Sequence, residues 1–366
     1  MTSPQNTVVV GLSGGVDSAI AAHRLKTQGH HVIGLFMKNW EEDDDEEYCA
    51  AREDLAAAQA VSEALGIPLK TVNFSHEYWE RVFTIFLDEY RSGRTPNPDV
   101  LCNREIKFKE FLSYARDLGA DHIATGHYAR VEIENNAHQL LKAKDLSKDQ
   151  SYFLHELTES ALALTMFPLG NTVKDAVREE ARLLNLPNAE RKDSTGICFI
   201  GERKFSDFLA RYLPPNPGPI RTLEQETVGE HRGLWFYTAG QRHGLDIGGP
   251  GDAWYVADKD LEANILYVVQ GHDHPALMKD ALVVDKMHWI SGSAPERTFR
   301  CQAKTRYRQD DQSCSVSLDS ACGISVRFDS PQRAPMPGQS LALYQNDRVL
   351  GGGVISSTHT HRFRRQ

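Results

Sequence analysis

Apolar and polar positions alternate in blocks over the first third of the chain. Thr7-Val8-Val9-Val10-Gly11-Leu12 is a short apolar run of buried-strand type, and Ser18 to Gln28 carries a helical pattern closed by Gly29. His31 to Lys38 predicts a second strand, Ala50 to Leu65 an Ala-rich helix stopped by Gly66, and Leu69 to Phe74 a third strand. A helical stretch then runs to about Arg91, and the prolines of Thr95-Pro96-Asn97-Pro98-Asp99 break it. Helix resumes from Val100 to Leu118, and His122 to His127 predicts a fourth strand. Strands separated by helices of this length imply a doubly wound parallel sheet of Rossmann-like type, with ligands at the carboxyl ends of its strands.

The pattern changes after residue 205. Pro214-Pro215-Asn216-Pro217-Gly218-Pro219 is a stiff break, and residues 220–275 read as short strands with glycine-rich turns. From about residue 280, ALVVDKMHWI, RCQAKTRYR, SCSVSL, GISVRF and SLALYQ alternate between turn signals, which predicts a small barrel or sandwich. The expected division is 1–205 for the α/β unit, 206–278 for a small central domain and 279–366 for a C-terminal β-barrel.

Composition adds little to that division. The 366 residues are 40% hydrophobic and 25% charged, as in a folded protein. No apolar run reaches the ~18–20 residues that span a bilayer, and no signal peptide is visible, so the expected location is the cytoplasm, away from membranes. The six cysteines contain no C-x-x-C pair, which argues against a zinc ribbon and a secreted disulfide scaffold.

The net charge of −9 counts against a nucleic-acid partner until its distribution is considered. Glu41 to Glu47 is an unbroken acidic run, as solvated loops often are. Arg297, Arg300, Lys304, Arg306 and Arg308 face only Glu296 in their stretch, and Arg362, Arg364 and Arg365 follow in the tail. A local basic surface is therefore compatible with an acidic chain.

The chemistry begins at Gly11-Leu12-Ser13-Gly14-Gly15-Val16-Asp17-Ser18, where the first strand turns into the first helix. Glycines there let backbone N–H groups converge on a phosphate, and the helix N-terminus adds partial positive charge. Asp17 is the candidate for a magnesium ion carried by the phosphates, with no dedicated metal site expected. The segment lacks the Gly-Lys-Ser/Thr of a Walker A loop and the G-x-G-x-x-G dinucleotide fingerprint. It resembles the pyrophosphate loop of enzymes that cleave ATP between its α and β phosphates and transfer AMP to a substrate oxygen.

Adenylation turns a poor oxygen leaving group into a good one, so a nucleophile must follow. Cys102 lies beside the proline-broken loop, in the expected first turn of a helix with Lys107 and Lys109 close behind; Cys198 lies between Arg191-Lys192 and Arg203-Lys204. Cations and helix N-termini favour the thiolate. Cys301, Cys314 and Cys322 fall in β-patterned segments and are expected to be inert, and Cys49 follows the acidic run.

With GLSGGVDS, GLFMKNWEEDD, GRTPNPDVLCN, IATGHY, KDQSYFL, DSTGICFIGERKF, GQRHGL and KTRYRQ in view, the chain resembles the bacterial tRNA-specific 2-thiouridylases. That resemblance implies ATP on Gly11 to Ser18, with Met37 and Gly126 framing the adenine side. It implies that Asn97, Pro98 and Asp99 meet the target base, that Cys198 carries a persulfide and that Cys102 is its partner. It also places His127, Lys148, Asp149, Gln150, Arg306, Tyr307 and Gln339 against tRNA; as residues alone, Asp149 and Gln150 equally suit a turn cap. The implied partners are tRNA and a sulfur-donor protein. Sulfur transfer directly from the persulfide and transfer through released hydrosulfide both use the same residues. Two other readings remain at this point, an ATP-dependent ligase or amidotransferase with a similar loop, and a tRNA-binding protein without catalysis.

Overall fold

The computed structural model describes residues 6–41, 50–193, 205–319 and 323–360. Its first sheet uses β1 (Thr7–Gly11), β2 (His31–Lys38), β3 (Leu69–Asn73) and β4 (His122–Ala124). A hairpin follows, β5 (Ala129–Glu134) and β6 (Ala137–Lys142), and then a short β7 (Thr165–Met166). The sheet runs β3-β2-β1-β4-β7, all parallel. Strand order reverses between β1 and β4, and the crevice at that switch point is where such sheets bind ligands. Period-two alternation sorts β1 between two cores. Val8 and Val10 pack with Ala19, Ile20 and Leu25 of the helix Val16–Thr27, and Val9 packs with Tyr78, Phe83 and Phe111 on the other face.

The helix Ala50–Leu65 matches its expected bounds. The two long helical stretches after β3 are continuous but uneven. Ser75–Tyr78 passes through a wide π turn at Trp79–Phe83 into Thr84–Arg91. Pro98–Cys102 passes through a longer π segment at Asn103–Glu110 into Phe111–Asp117. Such widened turns are frequent at functional sites. Strand β4 ends three residues sooner than the apolar run predicts, which leaves Thr125-Gly126-His127 in the loop beyond its carboxyl end.

The central unit is a four-stranded sheet of order β10-β11-β8-β9, from β8 (Gly218–Arg221), β9 (Thr227–His231), β10 (Trp254–Asp260) and β11 (Ile265–Gln270). Its small core holds Ile220, Leu234, Val256 and Leu266. The last unit is a closed barrel of β12 (Met278–Trp289), β13 (Thr298–Lys304), β14 (Gln312–Asp319), β15 (Gly323–Arg333), β16 (Ser340–Gln345) and β17 (Arg348–His359). The order β12-β15-β14-β13-β16-β17 closes through β12–β17 pairing, which removes the sheet edges.

The barrel is not separate from the α/β unit. Arg348 of β17 pairs with Leu141 of β6, so the β5–β6 hairpin extends the barrel sheet. Lys142 N–H donates to the Asp347 carbonyl at 2.9 Å, and Arg130 pairs with the Asp347 carboxylate at 2.9 Å. The hairpin turns on Asn135 and Asn136, both at positive φ, as a two-residue turn of type I′ requires.

Candidate functional site

Gly11 ends β1, and Ser13 to Gly15 carry the chain into the helix Val16–Thr27. Gly15 is the N-cap, and no side chain caps the helix. Its first-turn N–H groups therefore have no partner within the helix, and the dipole favours an anion there. Ser18 Oγ donates to the Gly15 carbonyl at 3.0 Å and accepts from Ser13 N–H at 3.3 Å, which pins the loop from below. Gly14 sits at φ +79°, where a Cβ would lie 2.6 Å from the Asp54 carbonyl oxygen. A side chain is excluded both by conformation and by space. Gly126 packs equally tightly, since its Cβ would lie 2.8 Å from Ser18 N, and a Cβ on Gly11 would lie 3.3 Å from Met37 Cε. The expected nucleotide residues are thus neighbours around one crevice, and the fit to a polyphosphate is good.

Asp17 does not stand open. Tyr128 donates its hydroxyl to Asp17 Oδ1 at 2.9 Å, and Lys174 Nζ reaches both carboxylate oxygens at 2.7 Å. The same buried ammonium pairs with Asp193 at 2.8 Å, and Lys148 and Arg178 close on Asp193 at 3.0 and 2.6 Å. Burial alone would push the Asp193 carboxyl up, but the Lys174 and Lys148 ammonium groups outweigh it and hold the pKa at about 2. Burial, and next the Asp17 charge, raise the Tyr128 phenol, so it stays a donor. Asp17 would meet magnesium only by sharing a carboxylate that Lys174 and Tyr128 already hold, which suits an ion held mainly by phosphates. Among the described residues no group of three or more His, Cys, Asp or Glu is placed to hold a metal.

Sequence reasoning missed Tyr128, Lys174 and Asp193 as members of this site. Asn188 was missed as well; its side chain donates to the Gly14 carbonyl at 2.9 Å. Lys174 is 157 residues from Asp17, so no local spacing links them. A lysine opening the helix Lys174–Leu183, where the dipole disfavours cations, was the one visible signal.

Asn97 caps the helical stretch that carries Cys102, its Oδ1 accepting from Val100 N–H at 3.4 Å, and Pro98 fills the first helical position. Cys102 ends this segment instead of sitting in its first turn. It is fully buried, in the cluster that holds Val9, Ile106 and Phe111. The expected place in a first helical turn is corrected on this point. Lys109 spends its charge on Glu105 at 2.7 Å, and the field of Lys107 falls on His127. Cys198, with Cys49, Cys322 and the arginines of the tail, lies outside the described residues. Cys301 and Cys314 are buried opposite each other across β13 and β14, with sulfurs 3.7 Å apart.

The expected tRNA residues divide into accessible and structural ones. His127 accepts or donates through Nδ1 to Thr125 Oγ1 at 2.8 Å and lies between Phe108 and Phe167. Burial and then the Lys107 charge push its pKa well below the usual range, so it presents a neutral ring. Asp149 is buried, and its carboxylate accepts from Ala143 N–H, Ser151 N–H and Ser151 Oγ. It shapes the turn that presents Lys148, and Gln150 accepts from Tyr128 N–H at 2.9 Å. Gln339 closes a turn with Met336 N–H at 3.1 Å. Tyr307 lies 4.6 Å from the Phe153 ring, with the Arg308 guanidinium 5.4 Å from its own. Arg306 donates to the Ala334 carbonyl at 2.6 Å. The basic strand is partly neutralised, since Arg300 pairs with Asp329 at 2.5 Å and Lys304 lies 3.6 Å from Asp311.

Three family models match this chain in succession. They are the tRNA methyl transferase HUP domain over residues 6–202, the tRNA methyl transferase PRC-barrel domain over 206–270 and the aminomethyltransferase beta-barrel domain over 279–355. A tRNA-specific 2-thiouridylase of Proteus mirabilis is 56% identical over 358 residues, covering 96% of this chain and 98% of its own. The chain belongs to the tRNA-specific 2-thiouridylase family. A second member, from Methylococcus capsulatus, is 58% identical over 357 residues and 96% of both chains. Membership of this family, with its HUP domain, implies the use of ATP. Among solved structures, an NMN synthetase from Francisella tularensis shares 18% identity with a TM-score of 0.32 over 52% of this chain and 66% of that one, a likeness too slight to bear on function. Among the described residues no helix is long and apolar enough to cross a membrane.

Proposed function

We propose that this chain activates the 2-oxygen of the wobble uridine of tRNA with ATP and replaces it with sulfur. The observation that carries the reading is the uncapped glycine-loop helix terminus, with Asp17 and Lys174 against it, in a chain that aligns end to end with 2-thiouridylases. Methyl transfer, which two of the family models carry in their descriptions, has less support. The full-length relatives are described as thiouridylases, and an uncapped helix N-terminus is a phosphate seat.

In this reading Gly11 to Ser18 hold the polyphosphate, with Met37 and Gly126 flanking the nucleotide. Asp17 would meet magnesium carried on the phosphates, which would supply charge neutralisation for the departing pyrophosphate. The uridine leaves its stack and enters beside Asn97, Pro98 and Asp99, as base-modifying enzymes require. Its 2-oxygen bonds to the α phosphorus, and the bond to the β phosphate breaks to release pyrophosphate. The terminal sulfur of a persulfide on Cys198 bonds to C2, and AMP leaves with the original oxygen. Cys102 then attacks the Cys198 sulfur, forming a disulfide and leaving the transferred sulfur on the base. A cellular thiol reductant restores both cysteines, which fits a reducing cytoplasm. A persulfide-bearing donor protein reloads Cys198.

The neutral ring of His127, flanked by Phe108 and Phe167, suits a base better than a phosphate. Lys148, Gln150, Arg306 and Tyr307 remain the proposed tRNA contacts, with Asp149 and Gln339 shaping the turns beside them. The proposed working division is catalysis in 1–205, a bridging role for 206–278 and tRNA binding in 279–366. Mass spectrometry of wobble uridine in tRNA from cells lacking the gene tests the reading. Loss of 2-thiouridine is expected, and an unchanged level refutes it.

A further inference from the structure

Resting on the tRNA reading, we propose that Lys142, Tyr344 and Asp311 are positioning residues for that substrate. They join the Lys148–Gln150 turn of the α/β unit to the Thr305–Gln309 turn of the barrel, so that the proposed contacts on both turns meet the RNA as one surface. The two turns are far apart in sequence, and each is braced on its own side. Asp149 accepts from Ala143 N–H at 2.9 Å, from Ser151 N–H at 3.2 Å and from Ser151 Oγ at 2.8 Å. In the barrel, Gln309 Oε1 accepts from Thr305 N–H at 2.8 Å and from Thr305 Oγ1 at 3.1 Å, and Gln309 Nε2 donates to Gln332 at 2.8 Å.

Tyr344 of β16 links them. Ser151 Oγ spends its proton on Asp149, so the Tyr344 hydroxyl, 3.5 Å away, is the donor to Ser151. Burial, and next the Asp149 charge, raise the Tyr344 phenol, which keeps that proton in place. Two ammonium groups stand over the same ring, Lys142 Nζ of β6 at 4.6 Å and Lys304 Nζ of β13 at 5.4 Å. Both turn to Asp311, just beyond Gln309: Lys142 pairs with its carboxylate and Lys304 lies 3.6 Å from it. A second link closes the other side, where the Phe153 ring lies 4.6 Å from that of Tyr307.

Lys142 is the informative member. Lysine is almost never fully buried unless paired, and this one is buried, with Asp311 as its carboxylate partner among the described residues. Breaking such a pair is costly, yet replacing both members by apolar groups often is not, so the pair is weak evidence for stability. The best-attested use of a buried polar pair is to fix register between packed parts. Register is what is at stake here. The hairpin meets the barrel sheet through the Arg348–Leu141 pair, and Lys142 stands one residue beyond it. A slip of one residue would turn Lys142 to the other face and take it from Asp311 and Tyr344.

Equilibrium binding of an anticodon stem-loop RNA with a wobble uridine tests the assignment. Lys142→Met should weaken binding about tenfold, within the range by which residues that couple two sites change affinity. Lys142→Arg should recover most of the loss. Tyr344→Phe keeps the ring and removes the hydroxyl, and should weaken binding about threefold, the worth of one neutral hydrogen bond. Because Lys142→Met alone strands Asp311, the deciding protein carries Lys142→Met together with Asp311→Leu. It should melt near the wild-type midpoint and still bind the RNA about tenfold more weakly. Arg306→Ala should cost about tenfold in the wild type, the worth of one charged contact. In the doubly substituted protein it should cost less than about threefold, because the turn that carries Arg306 is no longer set against the RNA. A pair that only stabilises the fold would leave that cost unchanged. With wild type binding normally, the positioning role is overturned if the doubly substituted protein binds as tightly, or if Arg306→Ala costs the same factor in both backgrounds. A wild-type protein that binds no stem-loop RNA overturns the tRNA reading and the role together.

Discussion

The proposed nucleotide crevice and the proposed thiol side of the site are built in opposite ways. The crevice is made of backbone: glycines, helix N–H groups and two serines within eight consecutive residues, open at an uncapped helix end. The proposed thiol side draws on side chains from distant parts of the chain, and Cys102, its proposed nucleophile among the described residues, is shut inside the apolar core. The first region is arranged before any ligand arrives; under the proposed mechanism the second has to open before Cys102 can act. Pre-organised electrostatics suits the charge that develops at a phosphate, and burial suits a nucleophile that must wait for an activated base.

The strongest way to break this contrast is at Asp17 and Lys174. Asp17→Ala and Lys174→Met should each lower pyrophosphate release by about 10²–10³-fold, the usual cost of removing a group that positions developing charge. Lys174 keeps Asp193 when Asp17 is lost, so the fold should survive, as a thermal melt would verify. Normal release in either variant would reduce the pair to a structural ion pair.

Cys102→Ser sharpens the same contrast from the other side. It should abolish 2-thiouridine while leaving ATP binding and a single burst of pyrophosphate, because the crevice does not use the thiol. Cys301→Ser, in the barrel wall, should thiolate at close to the wild-type rate. Rapid-quench assays with labelled ATP separate the outcomes, and a Cys102→Ser protein that thiolates normally would remove Cys102 from the chemistry. Alkylation of Cys102 in the free protein should also be slow and should accelerate with tRNA.

The smallest expected effect is on pH. The folded pKa of His127 lies below its unfolded value of roughly 6.5, so its neutral form stabilises the fold above that pH. The contribution falls away as pH drops below about 6.5 towards the folded value. Denaturant melts between these limits should show wild type losing stability on acidification and His127→Asn losing less. Equal losses would mean that the ring is protonated without penalty.

What was legible follows the same division. The α/β order, the helix bounds at Ala50 and Leu65 and the glycine turn between β1 and its helix all rest on local pattern, and local pattern is what a sequence displays. Strand β17 was not legible, because Gly351-Gly352-Gly353 reads as a turn. The structure supplies the reason for those glycines. They pair with Trp289, His288 and Met287 at the barrel seam, and a Cβ on Gly352 would lie 2.1 Å from His155 Cδ2. Nothing local to the Asn135-Asn136 turn told that its hairpin would join a strand about two hundred residues later in the chain. The burial of Cys102 was illegible for a similar reason. Its core neighbours Val9 and Tyr78 come from elements far along the chain, whereas Lys107 and Lys109 are the cations that the sequence shows close behind it.

The most direct measurement is a reconstitution with purified protein, Cys198 loaded as the persulfide, tRNA, magnesium and ATP labelled in its α phosphate. AMP, pyrophosphate and 2-thiouridine should form in equal amounts in a single turnover, and none should form when ATP is withheld. Thiolated uridine appearing without ATP cleavage, or AMP released with the uridine unchanged, would contradict the account.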